Sequence, residues 1–258
     1  MKPQVKIIGT YISPYVRKVL AVLHLKGIVY ELDPIIPFFG NDKFSEISPI
    51  RRIPVLIHDD VVLSDSTIIC EYLEEVFPSP AVFPDNPKER AFARWLEEYA
   101  DTRMGDVLIW KLFNQSVINK AVWGKKTDHK LLVEAISKEI PAVLDYLEHT
   151  VPKTGYFFGE DLTVADIAIA APFRNADFAG YRVDKKKWPK CDQFIERVLQ
   201  HESVNYMRNF EERLIRVPIH KHREELFELG APLTDYSFAD SEPRLGIMQS
   251  IPGKVIMG

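Results

Sequence analysis

The chain has 258 residues, with 33 Lys plus Arg against 37 Asp plus Glu, for a formal charge of −4 at pH 7. An apolar share of 46% with 27% charged residues is a globular rather than a disordered composition, and the length suits one large domain or two ordinary ones. The weak acidity argues against nucleic acid as a partner; no run nears the roughly 18 apolar residues of a spanning helix, and the N-terminus lacks a long apolar stretch before a small-residue cleavage site, so no membrane partner and a cytoplasmic location are expected.

In chain order, residues 5–9 (VKIIG) read as a short strand. Ser13-Pro14 then opens a helix with Val16, Leu20, Leu23 and Leu25 close to one face and Gly27 as its stop. Residues 28–32 (IVYEL) read as a second strand, followed by a Pro- and Phe-rich loop (PIIPFFGND). Residues 54–58 and 61–63 flank Asp59-Asp60 as a hairpin. Asp65-Ser66 opens a helix striped by Ile68, Ile69, Tyr72, Leu73 and Val76. The order β-α-β, then β-β-α, is that of a thioredoxin-like α/β domain over residues 1–80.

Pro78, Pro80, Pro84 and Pro87 form a stiff connector of the kind that separates domains. Beyond it the pattern is helical: 88–119, 128–151, 163–179, 187–201 and 203–213, an all-α domain over 88–214. Residues 215–258 carry four further prolines and scattered apolar residues, with only HKHREELFEL reading as helix. This irregular extension is expected to pack on the body or on a second subunit. Cys70 and Cys191 lie far apart, outside any C-x-x-C pair, and each sits in an apolar-periodic stretch. Neither a disulfide scaffold nor a zinc site is expected, and both thiols read as buried.

Three places can carry chemistry. Ser13 before Pro14 is an ordinary N-cap arrangement, but a helix N-terminus also concentrates N–H donors and positive potential, which favour a thiolate resting there. Ile53-Pro54, after Arg51-Arg52, is either a proline at a strand start or a cis bond presenting the Ile53 backbone to a ligand. Asp65-Ser66 can simply cap a helix, or can offer an acceptor for an ammonium and donors for a carboxylate. Thr163 and Asp166 read as a reciprocal structural cap.

The segments SPYVRKV, IPVL, LSDSTIICEYLEE and TVADIAIAA, in order over about residues 5–210, resemble a cytosolic glutathione transferase of the serine type, similar to the tau and theta classes. The resemblance implies a thioredoxin-like domain that binds glutathione as co-substrate, a helical domain that supplies most of the electrophile pocket, a homodimer and no metal. Position by position it implies Ser13 as the catalytic hydroxyl beside the thiol. It implies Ile53, before the structural Pro54, as the backbone partner of the cysteinyl part. Asp65 and Ser66 are implied to hold the γ-glutamyl group, Arg52 to reach toward the glycyl carboxylate, and Thr163 and Asp166 to cap the second domain's central helix. The expected activity is conjugation to an apolar electrophile. A glutathione-dependent isomerase or dehalogenase, or a non-catalytic binding protein of the same fold, are the alternatives. Tyr11, the Phe38-Phe39 loop and residues 103–113 are candidates for the pocket walls. Val16 stands where glutaredoxins have a second Cys, so disulfide exchange is not expected.

Overall fold

A computed structural model describes residues 5–245; residues 1–4 and the end of the C-terminal extension, 246–258, lie outside the described residues. Strand β1 (Val5–Ile8) is central in a four-stranded sheet of order β2-β1-β3-β4. It runs parallel to β2 (Tyr30–Asp33) and antiparallel to β3 (Val55–His58), which forms a hairpin with β4 (Val61–Ser64). The second strand starts two residues later than the pattern predicts, since Val29 is 70% exposed ahead of the pairing. Helix α1 (Pro14–Leu25) returns the chain between β1 and β2, and α3 (Ser66–Val76) follows β4. A short helix α2 (Asp42–Ile47), capped by the Asn41 side chain, fills the predicted polar segment.

The proline connector is not a free linker. Lys26 Nζ donates to Glu74 Oε2 (2.6 Å) and to the Phe77 and Pro80 carbonyls, and Val82 N–H donates to the Glu74 carboxylate. Val82 in turn accepts from Val164 N–H (3.0 Å), so the connector is tied to both halves.

The helical half starts with α4 (Pro87–Tyr99), N-capped by Asn86. The helix continues unbroken through Ala100–Ile118, where the hydrogen bonds widen to the i→i+5 pattern, and on through α5 (Asn119–Trp123). Gly124 in the left-handed conformation ends it, four residues beyond the predicted stop. Helices α6 (His129–Glu134) and α7 (Ile140–Thr150) are joined by a wide turn, and α8 (Val164–Phe178) runs through the core with twelve buried residues. Its start is the predicted cap: Asp166 accepts from Thr163 N–H (2.8 Å) and Thr163 Oγ1 (2.6 Å). Helices α9 (Pro189–Gln200), α10 (Glu202–Asn205) and α11 (Arg208–Leu214) complete this half. Cys70 and Cys191 are free and fully buried, and burial pushes both thiols up.

The extension packs on the body. Helix α12 (His222–Glu228) leads to residues 231–240, which run beside the open edge of β2. Leu32 N–H donates to the Pro232 carbonyl (2.7 Å) and Thr234 N–H to the Leu32 carbonyl (3.1 Å). Asp33, fully buried, accepts from Ser237 Oγ and Phe238 N–H, both at 2.7 Å. Asn41 N–H and Arg244 N–H then reach Phe238 and Phe38 carbonyls, which fasten the extension to the 37–41 loop.

Candidate functional site

The site is built on the loop between β1 and α1. Gly9, at φ +152°, lets the loop leave the sheet; a Cβ there would meet Val16 Cγ2 at 2.4 Å. Ser13 is extended (φ −74°, ψ 127°), and its Oγ accepts from Val16 N–H at 3.4 Å. The capping role is therefore real. It uses an oxygen lone pair, and the hydroxyl proton has no acceptor among the described residues. Because Pro14 has no N–H, Tyr15 supplies the first free donor of the turn. A sulfur at this end would face a hydroxyl donor, a backbone donor and the positive end of a twelve-residue helix.

Ser13 opens onto a cleft of about 270 Å³ between the two halves, and Arg52, Ile53, Asp65 and Ser66 line the same cleft. The Ile53–Pro54 bond is cis, which decides between the two readings left open by the sequence. The turn before it is held by Ser48, whose Oγ donates to the Arg52 carbonyl (2.9 Å) and accepts from Arg52 N–H (3.0 Å). The exposed Arg52 guanidinium has no hydrogen bond or ion pair among the described residues. Its neighbour Arg51 is occupied with the Gly40 and Pro37 carbonyls at 2.7 and 3.3 Å and so braces the 37–40 loop.

Asp65 caps α3 by accepting from Thr67 and Ile68 N–H, at 2.9 and 3.3 Å. Both bonds fall on Oδ1, so Oδ2 stays open to a cation. The residue sits at φ 153°, in a region that favours glycine and costs other residues about 1–3 kcal/mol. Behind it Lys18, 1% exposed, donates to Glu97 (3.1 Å), Asp101 (3.0 Å) and Thr67 Oγ1 (3.1 Å). Burial alone would lower the Lys18 ammonium, but Asp101 and Glu97 hold it above its ordinary value. Burial raises the Tyr15 hydroxyl, and Asp101 adds to this. The close approach of the long helix needs Gly105, where a Cβ would meet the Tyr15 hydroxyl at 2.6 Å.

The opposite wall is apolar: Phe38, Ile109, Trp110, Phe113, Val117 and Ile118. Of the predicted wall positions, Tyr11, Phe39, residues 103–108, Lys111 and Leu112 do not line the cleft. Tyr11 is fully buried and stacks on Phe210 (centroids 4.7 Å apart), and Arg103 pairs with Asp106 and Glu139. Sequence reasoning missed Asp101 and Asn175, whereas residues 215–222 of the apolar extension do reach the cleft. It also missed Arg17, which lies buried behind the loop with its guanidinium on Glu211, Asn175 Oδ1 (3.3 Å) and the Ala171 carbonyl (2.7 Å). The available signal was YVRKVLAVL, a run with no polar face to solvate two charges.

Sequence profiles for the glutathione S-transferase N-terminal and C-terminal domains match residues 7–81 and 132–197. The chain is 30% identical over 222 residues to glutathione S-transferase U13 of Arabidopsis thaliana, covering 81% of this chain and 92% of that one. It is 29% identical over 191 residues to maleylacetoacetate isomerase of Rattus norvegicus, covering 72% and 83%. The structure of a glutathione S-transferase from Rhodospirillum rubrum superimposes with a TM-score of 0.71 at 26% identity, over 78% of this chain and 90% of that one. A thioredoxin-like domain followed by a helical domain, with a cleft between them, defines the class, and the chain belongs to the glutathione S-transferase family.

Proposed function

We propose that this protein is a glutathione transferase in which Ser13 stabilises the glutathione thiolate and the thiolate attacks an electrophilic carbon of an apolar second substrate. The observation that carries the reading is the two-sided cleft: a hydroxyl with a free proton at a helix N-terminus, flanked by polar recognition groups and facing an apolar wall.

Asp65 Oδ2 and Asp101 supply negative charge for the γ-glutamyl ammonium, and the Ser66 hydroxyl supplies a donor for its carboxylate. The Ile53 backbone pairs with the cysteinyl part, and the Arg52 guanidinium takes the glycyl carboxylate. Held at these points, the tripeptide places its sulfur beside Ser13. Each unit by which the thiol pKa falls stabilises the thiolate by about 1.4 kcal/mol, and alignment with the electrophile lowers the barrier further. Carbon–sulfur bond formation then expels the leaving group with its bonding pair or, on a conjugated double bond, pushes the π pair onto the activating group, and the anion so formed takes a proton from water.

Retention on immobilised glutathione followed by turnover of an aryl halide tests the reading. Retention without conjugation favours a glutathione-dependent isomerase, a reading that the likeness to the rat isomerase supports. Loss of both leaves a binding protein of this fold. The reading includes a homodimer, for which exposed Val62, Ile68, Phe92 and Trp95 on β4, α3 and α4 offer apolar surface; a monomer in sedimentation would contradict that part.

A further inference from the structure

The C-terminal extension serves the cleft in two ways. Ile215, Val217 and Ile219 line it directly. Further along, residues 238–244 hold the loop that carries Phe38, another lining residue. Asn41 N–H donates to the Phe238 carbonyl (2.8 Å), Asp240 N–H to the Phe39 carbonyl (2.5 Å) and Arg244 N–H to the Phe38 carbonyl (2.7 Å). Both parts of the extension meet at one side chain of the body, Asp33 at the end of β2, which is fully buried and does not itself line the cleft.

Asp33 Oδ1 accepts from Ser237 Oγ (2.7 Å) and from Arg223 Nη1 (3.3 Å), and Oδ2 accepts from Phe238 N–H (2.7 Å). Among the described residues, every hydrogen bond to this carboxylate comes from the extension. A buried carboxylate is costly unless it is paired and hydrogen-bonded, so the charge in the sheet is stable only with the extension seated on it. Arg223 directly follows residues 215–222, and Phe238 opens the contact with the 37–41 loop, so one carboxylate ties both parts of the wall. The side of the cleft with the polar recognition groups is held by other means: Ser13 by the loop after Gly9, Ile53 by the turn on Ser48, and Asp65 by the start of α3. Asp33 meets that side through its main-chain carbonyl, which accepts from Gly9 N–H (3.0 Å) and which a side-chain substitution leaves in place.

We propose that Asp33 is a positioning residue for the second-substrate wall: by gathering Arg223, Ser237 and Phe238, its carboxylate sets residues 215–222 and Phe38 in place around the electrophile and leaves glutathione recognition to the other side of the cleft. The inference rests on the transferase reading above and deepens it.

The substitution D33N keeps the size of the side chain, removes its charge and puts an NH₂ donor where an acceptor stood. Two glutathione thioethers, measured by calorimetry on the full chain, separate the two sides of the cleft. S-methylglutathione reports the peptide side, and S-hexylglutathione adds an alkyl chain that rests on the apolar wall. D33N is expected to weaken S-hexylglutathione about tenfold, the equivalent of roughly two buried methylenes, and to bind S-methylglutathione as the wild type does. Equal weakening of both, or of neither, overturns the proposal. S237A, at an exposed position, should show the same pattern to a smaller degree and replaces D33N if that variant does not fold. A wild type that binds neither thioether overturns the transferase reading, and amide hydrogen exchange then still decides the role of Asp33. Faster exchange in the variant at residues 37–41 and 215–222, with α1 unchanged, supports it. Unchanged exchange at those residues, or faster exchange throughout the chain, overturns it.

Discussion

Ser13 does two jobs that can be separated by substitution. Its oxygen accepts from Val16 N–H, and its proton is available to a bound sulfur. Ser13→Ala removes both. Loss of a cap costs about 0.5–2 kcal/mol of stability. Loss of a hydrogen bond to a charged sulfur, worth about 1.5–3 kcal/mol, is expected to lower kcat roughly 10- to 100-fold and raise the bound thiol's pKa, read by thiolate absorbance. Ser13→Thr should keep most of both functions. A thiolate titration identical in Ser13→Ala and wild type would leave only the cap. Asp65 has the same double character, with the cap on Oδ1 and Oδ2 outside the cap. Asp65→Asn keeps an acceptor for Thr67 N–H but removes the charge, so it should raise KM for glutathione several-fold with a smaller change in kcat. These residues were legible because each stands at a helix start beside a proline or a hairpin. Arg17, Lys18 and Asp101 were not, because a charge on a helix defaults to a solvated face and only tertiary packing shows otherwise.

At the level of elements, short-range chemistry was the best guide. Ser13, Asp65 and Thr163 mark the starts of α1, α3 and α8. The widened ladder of Ala100–Ile118 left no such mark, since a shift in hydrogen-bond register leaves composition unchanged. The cap of α8 can be tested directly. Asp166 is fully buried and accepts from Thr163 N–H, Thr163 Oγ1 and Phe157 N–H (2.8 Å). Asp166→Ala leaves these donors unpaired and should cost about 2–4 kcal/mol, measured by urea unfolding. Burial pushes the Asp166 carboxyl up to about 6 from an ordinary 3.8. The native state then binds the proton more tightly than the unfolded chain, so this group's contribution to stability is fully present below about pH 3.8 and is lost as pH rises toward 6. Asp166→Asn abolishes that slope. Urea midpoints at pH 4.5 and 7 should show the wild type gaining less from the higher pH than the variant does.

For the molecule as a whole, a thioredoxin-like first half followed by a helical second half was readable from breaker residues and period. The way the halves lock together was not. The extension pairs with β2 through backbone groups of an irregular segment, and such pairing has no sequence period. The two halves are joined by adjacent buried cations on α1: Arg17 reaches α8 and α11, while Lys18 reaches α3, α4 and the widened helix beyond it. Arg17 also donates to the Tyr11 carbonyl (3.3 Å), so the same guanidinium that holds the domains together fixes the loop carrying Ser13. Removing one partner of a buried ion pair costs about 3–5 kcal/mol, because the other stays desolvated. Arg17→Ala should therefore lower Tm by about 10 °C in a chain of this size, and it should lower kcat as the loop loosens. Lys at this position keeps the charge but not the planar fork, and should recover little. The double variant R17M/E211M, which removes both charges, should recover part of the stability and none of the lost turnover. Equal recovery of both would mean that the guanidinium anchors the domains without positioning Ser13, and a single variant melting within 2 °C of wild type would mean that it does neither.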